Sequence, residues 1–433
     1  MRVLVMGGGG REHALCWAFA GSPLVSSVHC APGNAGIEKA ATVHPVDISD
    51  PGAILDLAGT LSPDLVVIGP EAPLVAGAAD VLRDRGFDVL GPGKEGAMLE
   101  GSKAFAKNFM SRHGVPTAGF DICENLDQAE KALLKRKPPY VVKADGLAAG
   151  KGAFVIDSFM EARETCAGLL VKMFLGQSGK RVVIEDHLPG EELTVLVLTD
   201  GISFRILPTS QDHKRAFDAD KGPNTGGMGA YSPVPWADKA FMDRVIKKVI
   251  EPTVAGLKKD SIPFRGVLYF GLMVDPAGEV RVLEYNVRMG DPETQVVLPA
   301  FGGDLALLAA SCARGSLKDA PCPGPSRTAV GVVLASGGYP GPYECGFPLS
   351  GLDQAEMEDD TLIFHSGTAR DGSGRMITSG GRVLTVVGTG KDIQAARSGA
   401  YRVIESIRFE GARFRSDIAL KGGRSPWKDR SQE

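Results

Sequence analysis

Short apolar runs alternate with amphipathic stretches along most of the chain. Residues 2–6 (RVLVM) form an apolar run ending in a glycine turn, which predicts a short buried strand. The stretch REHALCWAFAGS then reads as a helix, and Val25–Cys30 and Asp64–Ile68 as further strands with helix-like segments between. Strands alternating with helices predict a parallel sheet with crossover helices over this first unit. The texture changes after Gly101: SKAFAKNFMSRHGVP predicts a helix that stops at Gly114–Pro116. A smaller α/β unit follows, with helix 126–135, strand Tyr140–Ala144, a glycine loop, strand Ala153–Ile156, helix 158–174 and strand Arg181–Glu185. From about 191 to 325 the runs LTVLVLTDG, ISFRILP, GVLYFGLMVD and EVRVLEYN predict long strands, with one helix near 237–259 among them. Beyond 326 the chain is Gly-rich, with strands TAVGVVLASGG and RVLTVVGTG and a late helix near 392–407. The polar tail 423–433 is expected to fray, and no internal repeat is visible.

A length of 433 residues predicts three or four domains. Hydrophobic and charged fractions of 43% and 23% are those of an ordinary globular protein. Formal net charge is −4, which argues against a broad basic face and a nucleic-acid partner. The seven cysteines are scattered and form no CxxC, so neither a zinc site nor a disulfide framework is expected, and a reducing cytoplasm fits. No apolar run is long enough to cross a membrane, and the start MRVLVMGGGG enters a strand with no signal core. Glycine is abundant, 56 residues, and clusters in short motifs, as turns and close backbone approach to ligands require.

Three of those motifs follow predicted parallel strands: GGGGREHA at 7–14, Pro32–Gly36 and Gly69–Pro73. Ligands of open α/β sheets bind at that edge. A strand, a glycine turn and a helix start can hold a phosphate on free N–H groups, or can be no more than a tight turn. Dinucleotide binding is disfavoured, because Glu12 stands where the third glycine of G-x-G-x-x-G would be and the second strand ends Cys30–Ala31 without an acid. Glu71 is either an acceptor for sugar hydroxyls or a carboxylate drawn to a helix N-terminus.

Lys143 interrupts the apolar strand 140–144, where a lysine either meets an anion such as phosphate or lies on an exposed edge. The glycines 146, 150 and 152 allow backbone amides near phosphates, Lys151 adds a cation, and the loop is not a P-loop. In 181–197 a strand ends in Glu185, turns through Leu188–Gly190 and continues at Glu191–Glu192. Such a hinge can offer backbone groups to an adenine and a carboxylate to ribose. Glu284 and Asn286 lie two apart on a strand and so share a face. That face is either a site for a hard divalent ion or simply wet, and Arg288 shares it if the strand continues.

Lys103, the Lys143 strand, ADGLAAGKG, EDHLPGEE and the E-x-N strand, in this order, resemble the ATP-grasp fold. With GGGGREHA, APGNAG, GPEAPLVAG, SQDHKRAFDADKGPNTGGMGAYSP and EYNVRMGDPETQ, the chain from 1 to about 422 resembles the glycinamide ribonucleotide synthetase family. The resemblance implies an α/β and α+β multidomain fold. A Rossmann-like N-terminal domain (1–102) would bind phosphoribosylamine. A two-part ATP-grasp fold would have its body at 103–122 and 191–325 and a flexible lid at 123–190. A small C-terminal domain would occupy 326–422.

The implied reaction joins glycine to 5-phosphoribosylamine with ATP, through glycyl phosphate, in purine synthesis. Lys103 and Lys143 would bind phosphates beside the loop residues Gly150, Lys151 and Gly152. Glu185 and its strand, with Leu188, would meet adenine, and Glu192, or else Glu191, the ribose. Glu284 and Asn286 would ligate Mg²⁺ or Mn²⁺. Asp212, Arg288 and Asp291 would lie near glycine and the reacting carboxyl, and Gly10, Arg11, Asn34 and Glu71 would hold phosphoribosylamine. A monomer with transient contacts to neighbouring enzymes is implied, with His213 either packed or a proton shuttle. The chain departs from the family pattern at Gly8, commonly serine, a change expected to be mild. It departs also at Val287 and Met289, commonly Cys and Phe, which should alternate away from the ligand face. Leu272 stands where many ATP-grasp enzymes have another metal carboxylate.

Overall fold

The computed structural model describes residues 1–148, 152–355, 357–423, 425 and 427. Strands β1 (Arg2–Gly7), β2 (Ser27–Pro32), β3 (Thr42–Val43), β4 (Leu65–Ile68) and β5 (Val89–Leu90) form a parallel sheet of order β3-β2-β1-β4-β5. Val3, Leu4, Val5 and Met6 are wholly buried, as a sheet covered on both faces requires. The strand order reverses between β1 and β4, so the glycine loops after these strands flank the crevice where such sheets bind ligands.

Glu12 organises these loops. Its carboxylate accepts hydrogen bonds from Gly9 N (2.7 Å) and Arg11 Nε (2.5 Å). A Cβ on Gly7 or Gly69 would lie 2.6 or 2.0 Å from Glu12 atoms, so both positions need glycine to let Glu12 pass between them. A buried acid in this place leaves no room for the pyrophosphate approach of a dinucleotide fold. Gly8 is similarly close to the next loop: a Cβ there would lie 2.4 Å from Gly33 O. The change from serine, expected to be mild, thus sits at a tight backbone contact.

Four antiparallel strands form the lid sheet: β6 (Phe120–Cys123), β7 (Tyr140–Ala144), β8 (Ala153–Ile156) and β9 (Val182–Glu185), in order β6-β9-β7-β8. β6, expected mostly in the body, belongs to this sheet because Phe120–Cys123 pairs with β9 along its whole length. Helices Leu126–Leu134 and Phe159–Leu170 close a separate core that includes Leu133, Val142, Cys166 and Ile184. A unit with its own core can swing as a body.

The chain continues through β10 (Glu191–Thr199), β11 (Phe204–Ile206), β12 (Gln211–Asp212), β13 (Arg215–Phe217), β14 (Lys221–Asn224) and β15 (Gly229–Ser232). It then forms β16 (Gly266–Val274) and β17 (Val280–Asn286). The body sheet is β11-β10-β16-β17. The last strands are β18 (Thr328–Ala335), β19 (Thr361–His365), β20 (Thr368–Arg370), β21 (Met376–Thr378) and β22 (Arg382–Gly390). The third large sheet is β12-β15-β18-β22-β19, so strands on both sides of residue 326 share one hydrogen-bonded layer. The expected division at 326 follows the change in composition, whereas β15, buried along its whole length, pairs directly with β18. Of the tail expected to fray, Trp427 packs onto Phe241 at 5.3 Å and edge-on to Trp236 at 5.5 Å, while 424, 426 and 428–433 lie outside the described residues. Among the described residues no helix is long and apolar enough to cross a membrane.

Helix Ile393–Ile404 packs on β22 so closely that a Cβ on Gly388 would lie 2.0 Å from Ala396 O. Backbone on both sides leaves little room to yield. Gly388→Ala should therefore destabilise the protein by about 1–3 kcal/mol. A thermal midpoint equal to that of the unaltered chain would contradict this.

Candidate active site

β7 lies between β9 and β8, so Lys143 sits in the middle of the lid sheet, 7% exposed, and not at an edge. Its ammonium donates to Glu185 Oε2 (3.1 Å) and lies 3.0 Å from Oε1. A second lysine absent from the sequence-based set, Lys107, lies 2.8 Å from Glu185 Oε2 and donates to Thr117 Oγ1 (2.7 Å). Lys103 and Lys107 are four apart on the helix Lys103–Arg112 and share its face. That spacing was the available signal. Burial and the nearby Lys143 push Lys107 down to about 8 although Glu185 opposes them. Burial would raise the Glu185 carboxyl, but Lys143 and Lys107 outweigh it and hold it ionised.

Lys143 also donates to Leu283 O at 3.2 Å. β17 carries a bulge here: Glu284 pairs with Gly271 and Val282 with Leu272, which leaves Leu283 as the extra residue. The carbonyl it presents is the one the lid lysine takes. The bulge also inverts which face is buried. Val280 and Val282 are buried before it, Tyr285, Val287 and Met289 after it. Glu284, Asn286 and Arg288 therefore turn together toward the cleft, while Val287 and Met289 turn away as expected. Leu272 is wholly buried in the body core and offers no metal ligand.

Burial would raise Glu284, but Lys214, Lys143, Lys103 and Arg288 outweigh it and keep the carboxylate ionised. Among the described residues no hydrogen bond engages the Glu284 or Asn286 side chain. Two free oxygen donors side by side, one anionic, fit a hard divalent ion held jointly with phosphate oxygens.

Lys214, also not foreseen, is ion-paired with Glu192. Against burial, Glu192, Asp212, Tyr269 and Glu284 raise its pKa, which locates the ammonium among them. Glu192 is thus engaged with Lys214, whereas Glu191 is exposed and, among the described residues, its side chain accepts only from Gln211 Nε2 at 3.3 Å. Leu188 is half-buried in the hinge. Burial, with Glu293 and Glu192 near, pushes Asp212 above the ordinary carboxylate range despite Lys214. His213 is half-buried beside the C-terminal segment, its Nε2 accepting from Ala419 N at 3.4 Å, and desolvation lowers it to about 4.

At the other end Arg288 joins two domains. Its Nε donates to Glu71 Oε2 (3.2 Å) and its Nη2 to Glu100 Oε1 (2.8 Å). Glu100, another residue not foreseen, accepts from Val287 N with its other oxygen at 2.8 Å. Arg11 reaches Met289 O at 3.3 Å. Asp291 Oδ1 accepts from Gln295 Nε2 at 2.7 Å. A Cβ on Gly10 would meet Gln295 Nε2 at 2.6 Å and Ser366 Oγ at 2.5 Å, so that glycine serves packing. Asn34 stands apart: its amide donates to Gly8 O (2.9 Å) and His365 O (2.8 Å), and its carbonyl accepts from Gly36 N (2.9 Å). It ties two loops and the C-terminal layer together. Gly152 is buried and its carbonyl accepts from Ala144 N at 2.7 Å, while Gly150 and Lys151 lie outside the described residues.

Lysines, an arginine and oxygen ligands from the lid, body and N-terminal sheets are thus brought together. Such a site binds a polyphosphate and neutralises spreading charge.

The chain matches three family models in sequence. These are the N domain of phosphoribosylglycinamide synthetase at residues 1–100, its ATP-grasp (A) domain at 101–294 and its C domain at 329–421. It is 48% identical to a phosphoribosylamine–glycine ligase of Streptomyces coelicolor over 97% of this chain and 99% of that protein. It is 43% identical to one of Escherichia coli O157:H7 over 97% and 98%. The crystal structure of phosphoribosylamine–glycine ligase from Thermotoga maritima superposes with a TM-score of 0.84 at 38% identity, covering 97% of this chain and 100% of that one. A biotin carboxylase from Campylobacter jejuni shares the fold alone, with a TM-score of 0.72 at 14% identity over 95% and 92%. Matched by the three domain models over residues 1–294 and 329–421 and by these relatives over 97% of its length, the chain belongs to the phosphoribosylglycinamide synthetase family, with an ATP-grasp domain at its centre.

Proposed function

We propose that this chain is an ADP-forming ligase that joins glycine to 5-phosphoribosylamine, yielding glycinamide ribonucleotide in purine synthesis. The observation that carries it is the convergence of Lys143 and Lys107 on Glu185, one residue along from the Glu284/Asn286 face. The near-complete match to relatives named phosphoribosylamine–glycine ligase supports the choice of substrates.

In this proposal the glycine carboxylate attacks the γ-phosphorus of ATP, giving glycyl phosphate and ADP. The amine of phosphoribosylamine then attacks the acyl carbon, loses a proton and expels phosphate. No protein nucleophile is needed, and catalysis rests on positioning and charge neutralisation. Lys143 and Lys103 bind phosphate oxygens, with the loop residues Gly150, Lys151 and Gly152 beside them, and Glu185 aims Lys143 and Lys107. The strand of Glu185 with Leu188 meets adenine, and Glu192 meets ribose once Lys214 is drawn to phosphate, with Glu191 as the alternative. Glu284 and Asn286 would hold Mg²⁺ or Mn²⁺, which would supply positive charge against the phosphate oxygens. Asp212, Arg288 and Asp291 hold glycine and its reacting carboxyl, and Gly10, Arg11, Asn34 and Glu71 form the phosphoribosylamine side. The lid closes over the acyl phosphate to exclude water. The enzyme works in the cytoplasm as a monomer.

The direct test measures ADP release with ATP, glycine and freshly generated phosphoribosylamine, omitting each in turn. Turnover that ignores the omission of glycine would refute the assignment. Lys143→Met should lower turnover on the order of 100-fold or more with the thermal midpoint little changed. Near-normal glycine-dependent turnover in that variant would remove the nucleotide role of Lys143. Glu284→Gln should raise the metal concentration needed for half-maximal rate, and an unchanged titration would take it off the ligand list. Gel filtration should give about the 45.5 kDa of one chain, a dimeric elution being the contrary result.

A further inference from the structure

Arg382 begins β22 in the C-terminal layer, far in sequence from the motifs of the cleft, and yet ends inside it. Its Nη2 lies 3.0 Å from Asp291 Oδ2. Its Nη1 donates to Asp291 O (2.8 Å) and to Gly226 O (2.6 Å). One guanidinium thus clamps the acid and its own main chain to the Thr225–Gly227 loop. That loop is shaped to receive it: a Cβ on Gly226 would lie 3.1 Å from the guanidinium carbon, and one on Gly227 would lie 2.4 Å from Pro292 Cδ. Tyr339, also of the C-terminal layer, accepts from Gly226 N at 3.1 Å and holds the loop from the other side.

Asp291 has both oxygens committed, Oδ1 to Gln295 and Oδ2 to Arg382, while 18% of its side chain stays exposed. It also borders the first glycine loop, since a Cβ on Gly9 would lie 3.6 Å from Asp291 Oδ2. Burial would raise the Asp291 carboxyl, but Arg382 first, and then Arg11, lower it. An ionised carboxylate fixed in direction, with part of its surface open, is an acceptor for an amine or ammonium group. Among the described residues no other side chain bonds Oδ2, so without the arginine the acid keeps only its bond from Gln295.

We propose that Arg382 is a positioning residue for the reaction, the contribution of the C-terminal layer to the amine end of the site. It aims Asp291 at the amino group of a substrate and is not itself a ligand of the nucleotide. This rests on the ligase reading given above.

The test compares steady-state kinetics of the intact chain with those of Arg382→Ala and Arg382→Lys, with circular dichroism and thermal midpoints as controls on folding. Arg382→Ala should lower kcat/KM for glycine or for phosphoribosylamine about 10- to 100-fold, the loss of one charge-assisted contact being worth about 1.5–3 kcal/mol. KM for ATP should change less than threefold. Arg382→Lys should recover part of the loss, and added guanidinium should partly restore Arg382→Ala, since it can refill the vacated contact with Asp291. Equal losses toward ATP and both amine substrates, with no recovery by guanidinium, would reduce Arg382 to a structural residue. Unchanged kinetics in Arg382→Ala would overturn its role and leave the ligase reading intact. Absence of glycine-dependent turnover in the unaltered chain would overturn both.

Discussion

Two ammonium groups and one carboxylate are buried together where the lid meets the body, and most of the cleft depends on that contact. Glu185 ends the lid strand β9, Lys143 comes from its neighbour β7, and Lys107 rises from a body helix. Burying the Glu185 carboxylate without a partner would cost several kcal/mol, and either lysine can supply one. The surplus positive charge is left facing the bulged segment of β17, beside Glu284. The arrangement leaves a net cation poised for a polyphosphate. It also gives the lid a defined seat, because Lys143 reaches across to the Leu283 carbonyl.

The bulge at Leu283 is the device that connects charge to direction. A regular strand would have kept Glu284 and Asn286 on the face of Val280 and Val282, inside the body core. One extra residue turns the polar set outward and frees a carbonyl for the lid lysine. The same register carries Arg288 to Glu71 and Glu100, which links the body to the N-terminal sheet. Lys143 and Lys107 share Glu185, Lys214 pairs with Glu192, Arg288 with Glu71 and Glu100, and Arg382 with Asp291. That field is assembled before any anion arrives.

The glycine loops of the N-terminal sheet have a different physical basis from the one their composition implied. Gly7 and Gly69 make room for Glu12, Gly8 for the Gly33 carbonyl, and Gly10 for Gln295 and Ser366. Their closeness serves packing of loops and layers around the crevice. Asn34 likewise spends its side chain on the backbone of Gly8 and His365. These loops thereby fasten the C-terminal layer to the N-terminal sheet.

The strands of apolar residues, the parallel sheet, the alternation of Glu284, Asn286 and Arg288, and the lid strand with Lys143 were all determined by the sequence itself. They follow from local periodicity and from the cost of placing a charge in an apolar run, and both can be read over a few residues. Only the tertiary structure decided which distant groups meet. Lys107 is an ordinary helical lysine until Glu185 is brought to it, and Glu100 an ordinary helical acid until Arg288 arrives. Arg382 lies 91 residues beyond Asp291, in a strand whose pattern shows only an apolar core. The pairing of β15 with β18 had no signal either, because hydrogen bonds between strands far apart in sequence leave no periodic trace. Local chemistry is written in short spacings, whereas partners chosen across domains depend on where the packed layers come to rest.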